Sequence, residues 1–571
     1  MQLEMKNKLR SFFKREWILL ILFFIPSIYY LVLPGFYEPH DLHHFADIYQ
    51  MYKAFESGQL PPRLGPDFSW EYGYPLFNYY YVLPFYIGAF WFWITGSLIS
   101  SFKFVFIITL VLSFLGMFLL LRKFFEINAS FAGAFLFVYT PYRAVQIYVR
   151  GAMGEALALA FLPFVFWAIK RLIEKPESEN IVILSLILAL FILSHNYIWL
   201  LSLVFIGSFA LLELFRIKNK IKSLVSLVKS FFLGVGLSFY WWFPAISEKH
   251  IFPSRTHFLL EDHFPFFKQL IIPSWGYGAS VWGSGDSLSF QIGFVNLAVF
   301  IISLLFLVVN RRLLKEKSIR NLITIAILGF LLALFFMNIR SLPFWKLLPI
   351  YQMVQFPWRL LFLTTFFTGI LGAFVAESLP GKTNLWSAFL IIFLSLGLTF
   401  SYFKPSKITY KKDDQYLKTF FAREEISGKS GSVSEEYKNY SEDYLLMPDW
   451  VVKRPNSLPS FKIETEADII RLTKTSSVDW RVIVQSEKPT QVIFNSHYFP
   501  GWYAKVDGIE KSIKVMEPYG QIAVDINSGV HEVRFFWKET PLRKFADFMS
   551  ILSFFVVLLI TLRKKFNLDL F

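Results

Sequence analysis

The chain has 571 residues; 55% are hydrophobic, 68 are Phe, Lys+Arg outnumber Asp+Glu by 57 to 42, and there is no Cys. A water-soluble fold could not cover that much apolar side chain, and without thiols there are no disulfides or thiolate metal sites. Apolar runs of about 20 residues recur, each long enough to cross a bilayer, so the composition implies a polytopic α-helical membrane protein.

In chain order, a basic segment (Lys6 to Arg15) precedes the apolar run Trp17–Phe36. No small-residue cleavage site follows, so this reads as an uncleaved first span. Basic clusters then recur at Arg122-Lys123, Lys170-Arg171, Arg216–Lys222, Arg311–Arg320 and Arg563–Lys565. Cytoplasmic loops retain Lys and Arg, so all of them are expected on the side of the N-terminus. This topology accounts for the positive charge, and nucleic acid becomes unnecessary as a partner.

Phe77 to Leu121 carries Lys103 as its only charge. It must connect an outer loop to an inner cluster, which takes an odd number of crossings, and three do not fit. One span at Leu98–Leu121 is expected, preceded by an interfacial helix near Tyr79–Ile94 whose Tyr, Trp and Phe suit the outer leaflet. Further spans are expected at Ser130–Tyr142, Ala152–Ile169, Ile181–Leu193, Ile198–Phe215, Ser223–Pro244, Phe290–Val309, Leu322–Met337, Leu360–Val375, Leu385–Phe403 and Phe545–Leu562. That makes about twelve, with both termini cytoplasmic. The chain thus divides into a transmembrane part (1–403, first outer loop 38–78), an extracytoplasmic β-rich part (404–543), and a last span with a cytoplasmic tail (544–571). In the β-rich part Ile513/Val515, Ile522/Val524/Ile526 and Val533/Phe535/Trp537 alternate with polar residues. Asp507-Gly508 and Ser528-Gly529 supply turns.

The unusual polar residues lie in the outer loops. "YEPHDLHHF" (Tyr37–Phe45) holds Glu38, Asp41 and His44. From Asp41, the stripe Leu42, Phe45, Tyr49, Tyr52 and Phe55 predicts an amphipathic helix resting on the membrane surface, with Asp41 and His44 on one face. Three readings stay open: Asp41 as a helix cap, a carboxylate–imidazole site for a divalent metal ion, or a catalytic acid. "PYRAVQIYVRGAMGE" puts Arg143, Arg150 and Glu155 at outer span ends, and "QFPWR" puts Arg359 there. These arginines either snorkel to the headgroups or bind a phosphate, which the planar guanidinium does well. "LSHNYIW" sets His195 and Asn196 in a tight outer turn, to satisfy it or to line a polar cavity.

The acid in the first outer loop, "ESGQLPPR" and "GYPLFNYYYVLPFYI" resemble the GT-C superfamily of integral-membrane glycosyltransferases. Together with "RGAMGE", "SHN" and "QFPWR", they resemble in particular the membrane proteins labelled 6-pyruvoyl-tetrahydropterin synthase-related. "YFPGWYAKVDG" with "GVHEVRFFW" looks like the C-terminal β-domain of bacterial membrane proteins that glycosylate cell-wall polymers. The resemblance implies a polyprenyl-phosphate-linked sugar donor, a glycan, lipid or protein acceptor, and a reaction at the outer face of the cell membrane. Asp41, with Glu38, would be the base; Arg359, Arg150 and Arg143 would hold the lipid phosphate; His44, Glu155, His195 and Asn196 would bind substrate. No cofactor is implied beyond a divalent ion. The rival functions are a lipid-sugar flippase and a carbohydrate-binding scaffold. Flippases place ionisable groups near the bilayer midplane, whereas the candidate acids here lie at span ends.

Overall fold

The computed structural model describes residues 24–252, 259–283, 285–309, 313–348, 351–379, 382–421 and 447–566. The start of the expected first span, the N-terminal basic segment and most of the charged stretch before Tyr444 lie outside them. Every other expected apolar run is helical. Among the described residues seven helices are long and apolar enough to cross a membrane, or eight if Lys220–Leu237 and Phe239–Ser247, bent by 70°, form one span. Four more apolar helices are shorter: Leu83–Thr95, Ile127–Val138, Ser178–Ser194 and Phe294–Val309.

Helix α1 (24–32) leads into the first loop, where α2 (His44–Glu56) lies against α3 (Leu83–Thr95) and α4 (Leu98–Leu121). With 13 residues, α3 is about 20 Å long, short of the ~30 Å hydrocarbon core. Its Phe90, Trp93 and Ile94 point outward. The lone charge Lys103 is buried in α4 and donates to the carbonyls of Leu33 and Gly35, closing the chain end of α1 where backbone acceptors would otherwise lack partners. Helices α5 (Met153–Glu174) and α8 (Leu361–Ser378) form the middle of the bundle and are nearly all buried. Between them in sequence run α6 (Ser178–Ser194) and α7 (Ile198–Arg216). At one end of the bundle the basic clusters meet acids: Lys123 pairs with Glu174 at 2.8 Å, and Lys170 with Glu213 at 2.7 Å.

The β-domain is at the other end. Among the described residues it pairs nine antiparallel strands, β1 (Ile463–Thr465), β2 (Asp468–Ser476), β3 (Asp479–Ser486), β4 (Thr490–His497), β5 (Trp502–Val506), β6 (Ile509–Lys511), β7 (Lys514–Met516), β8 (Gln521–Ile526) and β9 (Gly529–Trp537), in two sheets of order β1-β4-β8-β7 and β2-β3-β9-β5-β6. Inward residues of both sheets form one core, including Val482, Phe494, Val524 and Phe535. The Phe494 and Phe535 rings stack across it at 5.1 Å. The turn Asp507-Gly508 joins β5 (Trp502–Val506) to β6 (Ile509–Lys511), as expected. Ser528-Gly529 does not close a hairpin. It carries the chain from β8 (Gln521–Ile526) to β9 (Gly529–Trp537) in the opposite sheet, because alternation reports which face is buried and not which strand is the neighbour.

Two boundaries differ from expectation. Residues 404–421 belong with the helical part: Thr409 bridges Phe36, and α9 (Asp413–Phe420) packs on α2. Asp413 accepts from the N–H groups of Leu98 and Ile99, capping α4. The last helix, α10 (Pro541–Phe566), starts four residues early. The sandwich itself rests on the first loop. His497 and Ser496 both bond the Tyr72 carbonyl at 2.8 Å, and Ser69 Oγ is 2.9 Å from Nε2 of His497.

Candidate active site

The residues singled out in the outer loops come from the turn before α2, the segment before α5, the α6–α7 turn and the start of α8. The structure gathers most of them at the bundle end that carries the sandwich.

Asp41 sits in the turn that precedes α2. Its backbone N–H donates to the Arg150 carbonyl at 2.7 Å, and that of His40 to the Val149 carbonyl at 3.0 Å. These bonds tie the "EPHD" turn to "YVRG". Gly151 has φ +72°, and a Cβ there would meet Pro39 at 2.7 Å, so only Gly lets the two segments lie this close. Three residues on, a Cβ on Gly154 would strike the Tyr81 ring at 2.5 Å.

The electrostatic centre is Glu155, buried at the first turn of α5. Its Oε2 is 2.8 Å from Nη1 of Arg150 and 3.5 Å from Nε of Arg359. Its Oε1 accepts from Tyr142 and, at 2.9 Å, from Gln146. The Arg150 guanidinium lies over Trp358 at 4.9 Å, and that of Arg359 over Phe356 at 4.8 Å. Arg359 also donates to the Tyr197 hydroxyl. Each cation is thus held by an aromatic face and a shared carboxylate.

Asp41 is half-buried beside this centre and makes no ion pair among the described residues. Burial by itself would raise its carboxyl. The charges of Arg150, then His44, His43 and Arg359, outweigh that and hold it below the ordinary aspartate value, so it is ionised at neutral pH. His44 is buried and bridges Asp47 (Nδ1 to Oδ2, 3.0 Å) and the Tyr81 hydroxyl (Nε2, 3.0 Å). Burial first, then His43, pushes its imidazole well below the usual range. Tyr81 stacks on His195 at 5.2 Å, and burial takes His195 down to about 3. His195 in turn meets the Tyr197 ring edge-on. A continuous series of contacts therefore runs from Asp47 to Arg150.

Three expected residues stand apart. Glu38 is exposed and pairs with Lys411 at 2.6 Å, drawn away from Asp41 by a residue of the α9 segment. Arg143 is fully buried and donates to Ser113 Oγ (2.7 Å) and the Ala156 carbonyl (2.9 Å); it braces the bundle and offers no fork to a phosphate. Asn196 donates to the Tyr79 carbonyl at 3.2 Å and ties the α6–α7 turn to the segment before α3. The helix also differs from expectation. It starts at His44, its N-cap is His43 with no side-chain cap bond, and eight of its 13 residues are buried. Asp41 is therefore neither cap nor helical neighbour, and α2 is packed inside rather than resting on a surface.

Among the described residues, the donors close enough to share one ion are His43, His44 and Asp47; Glu38 and Asp41 are not among them. Asp47, Tyr81, Tyr142, Gln146 and Tyr197 were not singled out from the sequence. The spacing of "HHFAD" and the i, i+4 pair Tyr142/Gln146 were the signals available for three of them. A groove of about 880 Å³ lies elsewhere. It opens at the far end of α2 and is lined by Tyr52, Phe55, Tyr86, Trp93 and Phe554.

No curated protein matches the chain. A family model described as "6-pyruvoyl-tetrahydropterin synthase related domain; membrane protein" matches residues 77–404. That stretch is more than half of the chain and holds Arg150, Glu155, His195 and Arg359, so the protein belongs to this family of membrane proteins.

Proposed function

We propose that the protein is a GT-C-type membrane glycosyltransferase that moves a sugar from a polyprenyl-phosphate-linked donor to an acceptor hydroxyl at the outer face. The reading is carried by a partly buried, ionised carboxylate, Asp41, that lies beside Arg150 and within the field of Arg359 at a span-end site. On this reading the acceptor oxygen attacks the anomeric carbon while its proton passes to Asp41. The bond from that carbon to the phosphate oxygen breaks, and the polyprenyl phosphate leaves with the bonding pair. Its charge is met by Arg359 and Arg150, which Glu155 keeps in place. Direct attack inverts the anomeric configuration. The apolar helices hold the polyprenyl chain.

The same reading takes the chain across the membrane twelve times. It adds the first helix and the shorter or bent helices Ile127–Val138, Ser178–Ser194, Lys220–Ser247 and Phe294–Val309 to the seven long ones, and leaves Leu83–Thr95 at the outer interface. Both termini are cytoplasmic and the sandwich faces outward, in keeping with basic clusters at the opposite end. Reporter fusions at Lys218 and Lys315 should read inside and one at Lys474 outside. A sandwich on the inside sinks the proposal.

The direct test supplies the full-length protein in proteoliposomes with lipid-linked sugars and follows release of polyprenyl phosphate. Turnover that Asp41→Asn abolishes supports the transferase. Movement of the donor across the bilayer without transfer supports a flippase instead, and saturable sugar binding without turnover supports a scaffold.

A further inference from the structure

The turn that carries Asp41 opens into three donors grouped on one side of α2. Positions 43, 44 and 47 share a helix face because neighbours three and four apart do so. His44 Nδ1 is 3.0 Å and His43 Nε2 3.9 Å from the same oxygen, Asp47 Oδ2. One donor atom from each residue lies within 4.8 Å of the other two. Ligand atoms around a tetrahedral ion with bonds of ~2.0–2.1 Å stand about 3.3–3.4 Å apart. The two edges to Asp47 bracket that value and the third is no longer than 4.8 Å, so closing on an ion needs side-chain shifts of up to about 1.5 Å.

The surroundings suit an ion independently of these distances. A ligating imidazole has its second nitrogen engaged, which fixes the nitrogen that faces the metal. Here Nε2 of His44 is 3.0 Å from the Tyr81 hydroxyl. With a metal on Nδ1, Nε2 carries the proton and donates to Tyr81, which is itself fixed by stacking on His195 and by its seat over Gly154. Asp47 and His44 are nearly covered, while the His43 side chain is 21% exposed and forms the outer edge of the group. Three protein ligands leave coordination open, as in catalytic and not structural sites. Two imidazoles with one carboxylate favour zinc and its neighbours over Mg²⁺ or Ca²⁺, which prefer all-oxygen shells.

We infer that His43, His44 and Asp47 form an open binding site for a divalent transition-metal ion of the zinc class, in the same turn of chain as Asp41. The inference stands on the donor set and does not depend on the sugar-transfer reading. Without an ion the same residues are a hydrogen-bonded series, Asp47–His44–Tyr81, and the experiment separates the two.

Full-length protein carrying a histidine-free tag is stripped with a chelator and then titrated with Zn²⁺ or Co²⁺. Metal per chain is measured by mass spectrometry, and Co²⁺ by its visible bands. The expected result is about one ion per chain, Co²⁺ bands displaced by Zn²⁺, and affinity reduced roughly 10-fold or more in both His43→Ala and Asp47→Asn. Asp41→Asn should keep the ion. His43 is partly exposed, so its variant should fold, which a thermal melt of the stripped protein checks. Equal uptake by wild type and His43→Ala, or no uptake by either, overturns the site. Metal bound without sugar transfer counts against the transferase alone; transfer by a protein that takes up no ion counts against this site alone.

Discussion

Two buried charge clusters lie at the same end of the bundle and use the same residue types in opposite ways. In the first, Arg63 is buried and donates to Glu539 at 3.1 Å, Asp547 at 2.9 Å and the Tyr240 carbonyl at 2.7 Å. Beside it Arg543 bonds Glu248 at 3.0 Å, and Glu248 also accepts from Asn78 at 2.7 Å. Every carboxylate of this cluster pairs with a guanidinium, and together they lock "QLPPR" of the first loop to the last helix. In the second, Arg150 and Arg359 both turn to Glu155, while Asp41 is partly buried and makes no ion pair among the described residues. On the proposed reading, what separates the brace from the reactive centre is whether a carboxylate is fully engaged in holding the fold or remains open to an incoming group.

The largest expected effect tests the open carboxylate. Asp41→Asn should fold and melt like wild type yet lose roughly 10²–10⁴-fold in turnover, as removal of a general base does. Full turnover with transfer rate-limiting would end the assignment. Arg63→Met should do the reverse. It strands Asp547 and leaves Glu539 only Arg543 at 4.0 Å, so stability should fall by about 3–5 kcal/mol, read as a lower melting temperature in detergent, while the folded fraction still turns over. A variant that melts normally and is inactive would erase the distinction between the clusters.

Arg359→Lys replaces a fork with a point charge. Donor use should weaken roughly 10-fold, at the lower range for a hydrogen bond to a charged group, in a titration of lipid-linked donor. Unchanged donor affinity and turnover in Arg359→Ala would reduce this residue to a headgroup anchor.

The seat of the sandwich should respond to acid. Burial takes His497 down to about 4, where it bonds the Tyr519 carbonyl and Ser69. Between about pH 6.5 and 4 the unfolded chain binds a proton that the folded one does not. Stability is therefore full above pH ~6.5 and falls with acid by up to about 1.4 kcal/mol per pH unit. Thermal melts against pH should show this slope, and His497→Gln should remove it. The smallest effect is expected at Glu38. Its exposed pair with Lys411 is worth at most about 1 kcal/mol, so Glu38→Gln should leave turnover within about twofold. A 100-fold loss would return Glu38 to the centre.

The course of the helices was readable from the sequence because a membrane helix satisfies its own backbone and announces itself by an unbroken apolar run. Asp41, Arg150, Glu155 and Arg359 were readable because ionisable groups at span ends are few. Their grouping was not. Glu38 and Arg143 have the same chemistry as the residues that converge, and they part from them only through Lys411, 373 positions away, and through Ser113 inside the bundle. Tyr81, Tyr142 and Tyr197 were not legible as site residues because a tyrosine's role depends on what its hydroxyl meets. The local rules of apolar length and charge placement set the membrane class and nominated the polar residues. Long-range packing alone decided which carboxylate is paired and which stands open, because an ion pair in a low-dielectric interior depends on ångström distances between segments far apart in the chain.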